Sequence, residues 1–185
     1  MNTENKKQHI NLKRLVLSAM FLTLGIVLPF FTGQIQQIGN MLLPMHIPVM
    51  LCGFICGWKY GLIVGFITPL SRSILFGMPL LYPSAIAMAF ELATYGAITS
   101  LVYGCFHKKH SPAIYTSLLS AMIAGRIVWG IAMIALLGIN GGSFTAKAFF
   151  AGAVLNAIPG IIAQLVLIPG ILMIIKKFYP ISGSH

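Results

Sequence analysis

The sequence predicts an all-α, polytopic membrane bundle, and three observations lead there. Hydrophobic residues make up 58% of the 185-residue chain and charged residues only 8%. Mean hydropathy is +0.92. A water-soluble domain carries about 25% charged residues, so this chain has too few to cover a soluble surface. Only Glu4 and Glu91 oppose twelve Lys and Arg, a formal charge of +10, and the cations sit in short clusters between long apolar stretches. Their position matters more than their total. A soluble enzyme, a disordered chain and a DNA-binding domain are excluded.

A membrane-crossing helix needs about 20 apolar residues. Residues 15–32, 84–105, 114–137 and 148–175 qualify. The first follows Lys13-Arg14 as a signal peptide would, but it continues without a small-residue cleavage site and is expected to be retained. Residues 47–76 form either one long span containing Lys59 or two short ones turning at Gly57-Trp58-Lys59-Tyr60-Gly61.

The positive-inside rule separates the two. Six spans with the N-terminus inside place Lys6, Lys7, Lys13, Arg14, Lys59, Lys108, Lys109, Lys176 and Lys177 in the cytoplasm. Lys147 is then outside, with Arg72 and Arg126 in the membrane. Five spans would carry Lys108, Lys109, Lys176 and Lys177 to the outer side. Six spans are expected, with both termini cytoplasmic. The domains are then a basic cytoplasmic N-terminus (1–14), a six-helix membrane domain (15–178) and a cytoplasmic tail (179–185). The second span is short and irregular, with Pro44 and Pro48 at its entry.

Outer loops fall at 33–47, 77–83 and 140–147, and the inner loops leave no room for a soluble domain. The sequence contains no G-x-x-x-x-G-K-[ST] phosphate loop, so the chain is not expected to hydrolyse ATP. Cys52, Cys56 and Cys105 have no His or carboxylate at ligand spacing. They are expected to be buried reduced thiols, and no metal or cofactor is expected.

Charged side chains within a bilayer are costly, about 2.5–3.5 kcal/mol each on insertion scales, and they mark function. Here they are Arg72, Glu91 and Arg126. At 1.5 Å per residue Arg72 lies ~6 Å and Glu91 ~10 Å below the outer ends of their helices, with Arg126 ~18 Å along the fifth span. Two readings stay open. Arg72 and Glu91, at matching depth, neutralise each other and brace the third and fourth spans. Alternatively, two arginines and one carboxylate leave a net +1, and an arginine, Arg126 first, holds an anionic group of a small substrate.

Residues three and four apart share a helix face. Arg126 travels with Met122 and Trp129, Glu91 with Met88 and Tyr95, and Arg72 with Thr68. Asn156 shares its face with Gly152, Pro159 and Gly160, as a ligand group or as packing glue. Trp129, well inside its span, is a stacking candidate; Tyr82 is expected in the interfacial aromatic belt. His46 is expected to be a solvated loop histidine, with a pH-sensitive lid as the alternative. In the first span Ala19-Met-Phe-Leu-Thr23 places small residues four apart, a strip that lets a second helix approach closely.

Three stretches carry a family resemblance. They are Leu43-Pro-Met-His-Ile-Pro-Val-Met-Leu-Cys-Gly-Phe-Ile-Cys-Gly57, Lys59-Tyr-Gly-Leu-Ile-Val-Gly-Phe-Ile-Thr-Pro-Leu70, and Gly77-Met-Pro followed by Tyr82-Pro-Ser-Ala-Ile-Ala-Met-Ala-Phe-Glu-Leu92. With the topology they make nearly the whole chain resemble the S components of energy-coupling factor (ECF) vitamin transporters. The resemblance implies a non-enzymatic S component of an ABC-type importer in the cell membrane. Such a protein captures a vitamin from outside and docks on a transmembrane T component driven by two cytoplasmic ATPases. It then topples in the membrane to release its cargo.

In that family an A-x-x-x-A motif on the first span contacts the T component. The matching positions here are Ala19 and Thr23, with Thr replacing the second Ala. The resemblance also places binding in the outer halves of the last three spans, where Glu91, Arg126 and Asn156 fall. The candidate substrate-binding set is Arg126, Glu91, Arg72, Asn156, Trp129 and Tyr95.

Among the vitamins the chain looks most like the pantothenate-type proteins, and the residual positive charge suits a carboxylate. A pyridoxine or hydroxymethylpyrimidine type is the runner-up, with Glu91 bonding a neutral ring. From another class, a self-sufficient channel or proton-coupled carrier would show repeated halves and a protonatable relay. The sequence has no clear repeat and one intramembrane carboxylate.

Overall fold

The computed structural model describes residues 3–32, 44–106, 111–139 and 158–178, and every regular element among them is helical. Helix α1 (Thr3–Val27) ends in a 3-10 turn (Leu28–Thr32). Helices α2 (His46–Cys56) and α3 (Trp58–Phe76) follow, and a π-helical turn (Leu81–Ala85) leads into α4 (Ile86–Cys105). Helices α5 (Ser111–Ile139) and α6 (Ile158–Phe178) complete the bundle.

The segment at 47–76 is two helices. Gly57 breaks it with φ 102°, a backbone conformation that residues with a Cβ rarely adopt. Pro48 and Pro112 each sit in the first turn of their helix, where a missing N–H leaves no bond unmade. Helix α1 begins at Thr3 and runs through Lys13-Arg14 without a break.

Among the described residues four stretches are long and apolar enough to cross a membrane: Gln8–Phe30, Leu81–Cys105, Pro112–Gly138 and Ile158–Ile175. Helix α3 has 19 residues but carries Lys59 and Arg72. Helix α2 is apolar but has only 11 residues, about 16 Å at 1.5 Å per residue.

Helix α4 is the hub, packed against α2, α3 and α5, and most of its apolar window is buried. Helix α2 is buried on nearly every side, as expected of a helix that is apolar all round. Backbones touch where α2, α3 and α4 meet. A Cβ on Gly61 would lie 2.5 Å from the Gly96 carbonyl oxygen and 2.8 Å from Gly53 Cα. Lipid is as apolar as a side chain, so close van der Waals packing of this kind holds membrane helices together.

The exterior is apolar. On α5 Leu119, Ile123, Ile127, Ile131 and Ile134 form an exposed stripe, and on α1 Leu12, Leu15, Val16, Met20 and Leu24 do the same. Buried polar side chains, by contrast, include His46, Arg72, Glu91 and Gln164. Apolar outside and polar inside is the arrangement a bilayer favours.

Candidate functional site

Glu91 is 1% exposed on the inner face of α4, and three side chains converge on its Oε1. Tyr95, one turn on along the same helix, donates its hydroxyl at 2.9 Å. Arg126 of α5 approaches with Nη1 at 3.1 Å. His46, the first residue of α2 and fully buried, places Nε2 at 3.8 Å. The His46 and Tyr95 rings lie 5.2 Å apart at 55°. A buried carboxylate is tolerated only when paired and hydrogen-bonded, and this cluster supplies both. The N-terminal end of α2 adds the positive pole of its helix dipole.

Local sequence builds the cluster. Glu91 and Tyr95 are four apart, so one face of α4 presents both. Gly125, next to Arg126 on α5, has no side chain to meet the Tyr95 ring; a Cβ there would overlap Tyr95 Cε1 and Cδ1.

Arg126 is half-used. Its Nη1 faces Glu91, while Nε and Nη2 are buried and have no hydrogen-bond partner among the described residues. Those two nitrogens form one edge of the planar guanidinium and present two parallel N–H groups, the geometry that grips two oxygens of a carboxylate or phosphate. Leaving a buried donor unmade costs about 1–3 kcal/mol. Both donors are thus left for an acceptor outside the described residues.

The expected pairing of Arg72 with Glu91 does not occur. Arg72 is 3% exposed and donates from Nη1 to the Ile26 carbonyl at 2.8 Å. Its guanidinium lies over the Phe30 and Phe76 rings at 5.2 and 5.8 Å, and those rings meet edge to face at 4.8 Å. Matching depth misled because α1 ends beside Arg72 and offers it the Ile26 carbonyl. Arg126, nominally deeper, reaches Glu91 along its long side chain. The net charge of +1 therefore does not gather in one place: the Glu91–Arg126 pair is balanced, and the Arg72 cation is held against α1.

Other expectations fare differently. His46 is not a solvated loop residue; Pro48 marks the helix start that buries it. Thr68 is buried on the Arg72 face, and Met122 on the Arg126 face. Trp129 is partly buried on α5, one turn from Arg126. Tyr82 is half-exposed, yet its hydroxyl donates to the Leu136 carbonyl and ties the entry of α4 to α5. Cys52 and Cys56 are buried as expected, but Cys105 is exposed; an apolar run does not separate a lipid-facing thiol from a core one. Among the described residues no three His, Cys, Asp or Glu side chains form a metal site. Asn156 lies outside the described residues. Gln164 of α6, 1% exposed, is a buried polar group that the sequence reading passed over.

On α1, Ala19 and Thr23 are exposed, and the Thr23 hydroxyl is satisfied by the Ala19 carbonyl at 3.0 Å. The small residues of this helix thus divide between two faces. Ser18 and Gly25 turn inward, Gly25 against Thr68, while Ala19 and Thr23 turn outward.

An apolar exterior around a buried cluster of charged side chains defines a membrane-embedded helical bundle. Residues 13–172 match the family described as ECF transporter, substrate-specific component, and the chain belongs to that family. No curated protein and no solved structure matches it. The chain is thus the substrate-binding component of a transporter and not an enzyme. It is a multi-pass membrane protein whose partners are a small-molecule substrate, a T component and ATPases.

Proposed function

We propose that the chain binds a water-soluble carboxylate vitamin, pantothenate first, and delivers it across the cell membrane with its T component and ATPases. The observation that carries this is the open Nε–Nη2 edge of Arg126. Glu91 and Tyr95 hold the guanidinium in place, and the vitamin carboxylate takes the edge. Once a second carboxylate arrives, one guanidinium serves two anions, and the His46 imidazole beside Glu91 is placed to carry the further positive charge. Asn156 and Trp129 are assigned to the same site from their sequence positions. Arg72 is assigned to bracing α1.

The proposed topology is six spans with both termini cytoplasmic, with domain boundaries at 14/15 and 178/179. Three features support it. The charge distribution favours it; the break at Gly57 makes α2 and α3 separate helices; and Arg14 acts electrostatically on Cys56, three residues from Lys59. The exposed Ala19–Thr23 strip is the proposed T-component contact.

A heteroaromatic vitamin, pyridoxine or hydroxymethylpyrimidine, is the second reading. It draws on the paired His46 and Tyr95 rings beside Glu91. A self-sufficient carrier fits poorly with membership of a family of transporter components.

The test is thermal stabilisation of the detergent-purified chain against a vitamin panel. A ligand at 100 times its Kd stabilises by about 2.7 kcal/mol. A shift with pantothenate supports the carboxylate assignment. A shift with pyridoxine or the pyrimidine instead overturns it in favour of the second reading.

A further inference from the structure

Helix α6 turns Gly160, Gln164, Ile168 and Leu172, each four residues apart, toward the bundle interior, and all four are buried. Gln164 is the polar member of that stripe. Its carboxamide nitrogen has no hydrogen-bond partner among the described residues. The hydrocarbon outside offers it no water, so an amide donor in this position is destabilising unless something binds it.

The surroundings of Gln164 connect it to the charged cluster. Ile161 and Leu165, which flank it on α6, pack against the core group that contains Met50, Tyr95, Met122 and Ile168. Three of those residues sit one helical turn from a member of the charged cluster or belong to it. Met50 follows His46 by four residues, Met122 precedes Arg126 by four, and Tyr95 bonds Glu91 directly. Helices α5 and α6 both feed that core group, α5 through Ile114, Leu118 and Met122 and α6 through Ile168 and Leu172. Gln164 lies one turn before Ile168 on the same buried face, beside the core group that adjoins His46, Glu91 and Arg126.

We infer that Gln164 binds the transported molecule, its carboxamide donating to a neutral oxygen of the molecule whose anionic group Arg126 holds. This rests on the assignment of Arg126 as the carboxylate anchor and extends it to a substrate class. The cargo carries an anionic group and, apart from it, a neutral hydroxyl or amide oxygen. A purely apolar tail would leave the Gln164 donor unmade, so such molecules are selected against.

Gln164→Met, which keeps length and removes the amide, separates a ligand contact from a structural one. Melting of the ligand-free, detergent-purified full chain is measured first, followed by the Kd for pantothenate and for pyridoxine as probes. The expected result is a ligand-free Tm equal to or above wild type, because an unmade buried donor has been removed, with probe affinity weakened about tenfold or more. Retention of affinity within about twofold overturns the inference. A lowered ligand-free Tm also overturns it, since Gln164 then serves the fold. If wild type binds pyridoxine rather than pantothenate and the variant weakens that binding, the Gln164 contact stands, and the carboxylate assignment falls together with the anionic substrate class drawn from it.

Discussion

The Arg126 guanidinium meets Glu91 Oε1 at 3.1 Å through Nη1 alone, and its Nε–Nη2 edge points away from that contact, buried and unbonded among the described residues. The pair therefore does two jobs at once. Glu91 neutralises and orients the arginine, and the arginine keeps a two-pronged donor edge in reserve. A fully satisfied bidentate pair would brace α4 against α5 as well but could bind nothing further.

Breaking the pair and replacing it have opposite consequences. Glu91→Ala leaves Arg126 as an uncompensated buried charge and is expected to cost about 3–5 kcal/mol of stability. Glu91→Leu combined with Arg126→Met removes both charges and is expected to recover most of that stability while abolishing binding of a carboxylate vitamin. Denaturation in detergent and ligand titration of both proteins check this; binding by the double variant would refute the anchor role of Arg126.

Arg72 is expected to matter for the fold and not for the ligand. Arg72→Met removes the bond to Ile26 and the cation–π contacts with Phe30 and Phe76, a loss of about 1–3 kcal/mol. Vitamin Kd should stay within about threefold of wild type, a difference of roughly 0.7 kcal/mol. A binding loss larger than the stability loss would return Arg72 to the site.

Gly125→Ala places a methyl group against the Tyr95 ring. Tyr95 must then shift, and its bond to Glu91 lengthens or breaks. Overpacking of this kind costs about 1–3 kcal/mol, and vitamin affinity should fall with it. Adding Tyr95→Phe to the Gly125→Ala background separates the lost hydrogen bond from the steric effect. Little further loss of affinity means that the bond had already gone.

On the outer face of α1, Ala19→Leu should leave folding and vitamin Kd unchanged, because Ala19 is exposed and touches no site residue. Co-purification with the T component and ATPases, and vitamin uptake by cells, should fall sharply. Normal uptake by the variant would remove this strip from the proposed interface.

Much was legible before any coordinates. Composition and charge clustering determined a helical membrane protein, because hydrocarbon tolerates few charges and requires each backbone group to be bonded within its own segment. Apolar length located the helices at 84–105 and 114–137 to within a few residues but not the start of α1, which reaches back through charged residues to Thr3; the break at Gly57 followed from the glycine-bounded turn. Glu91 with Tyr95 was readable from four-residue spacing. His46 was recoverable too, since Pro48 signals the first turn of a helix that would draw it inside.

Partner choice was not legible. Depth along a helix is a one-dimensional coordinate, and it matched Arg72 with Glu91 because both lie near the outer ends of their spans. Which arginine reaches the carboxylate depends on how the helices are rotated and which neighbours they meet, and only packing decides that. Arg72 turns toward the open end of α1, whereas α5, brought close by Gly125 beneath Tyr95, delivers Arg126 to Glu91. Gln164 was invisible for the same reason. A glutamine in an apolar run can face lipid headgroups, a neighbouring helix or a ligand, and its one-dimensional context is the same in each case. The sequence by itself determined that this chain lives in a membrane and carries a few polar groups within its apolar helices. The tertiary structure decided which of those groups stand together, because side-chain contacts between helices are set by rotation and approach, and neither is written in spacing along a single helix.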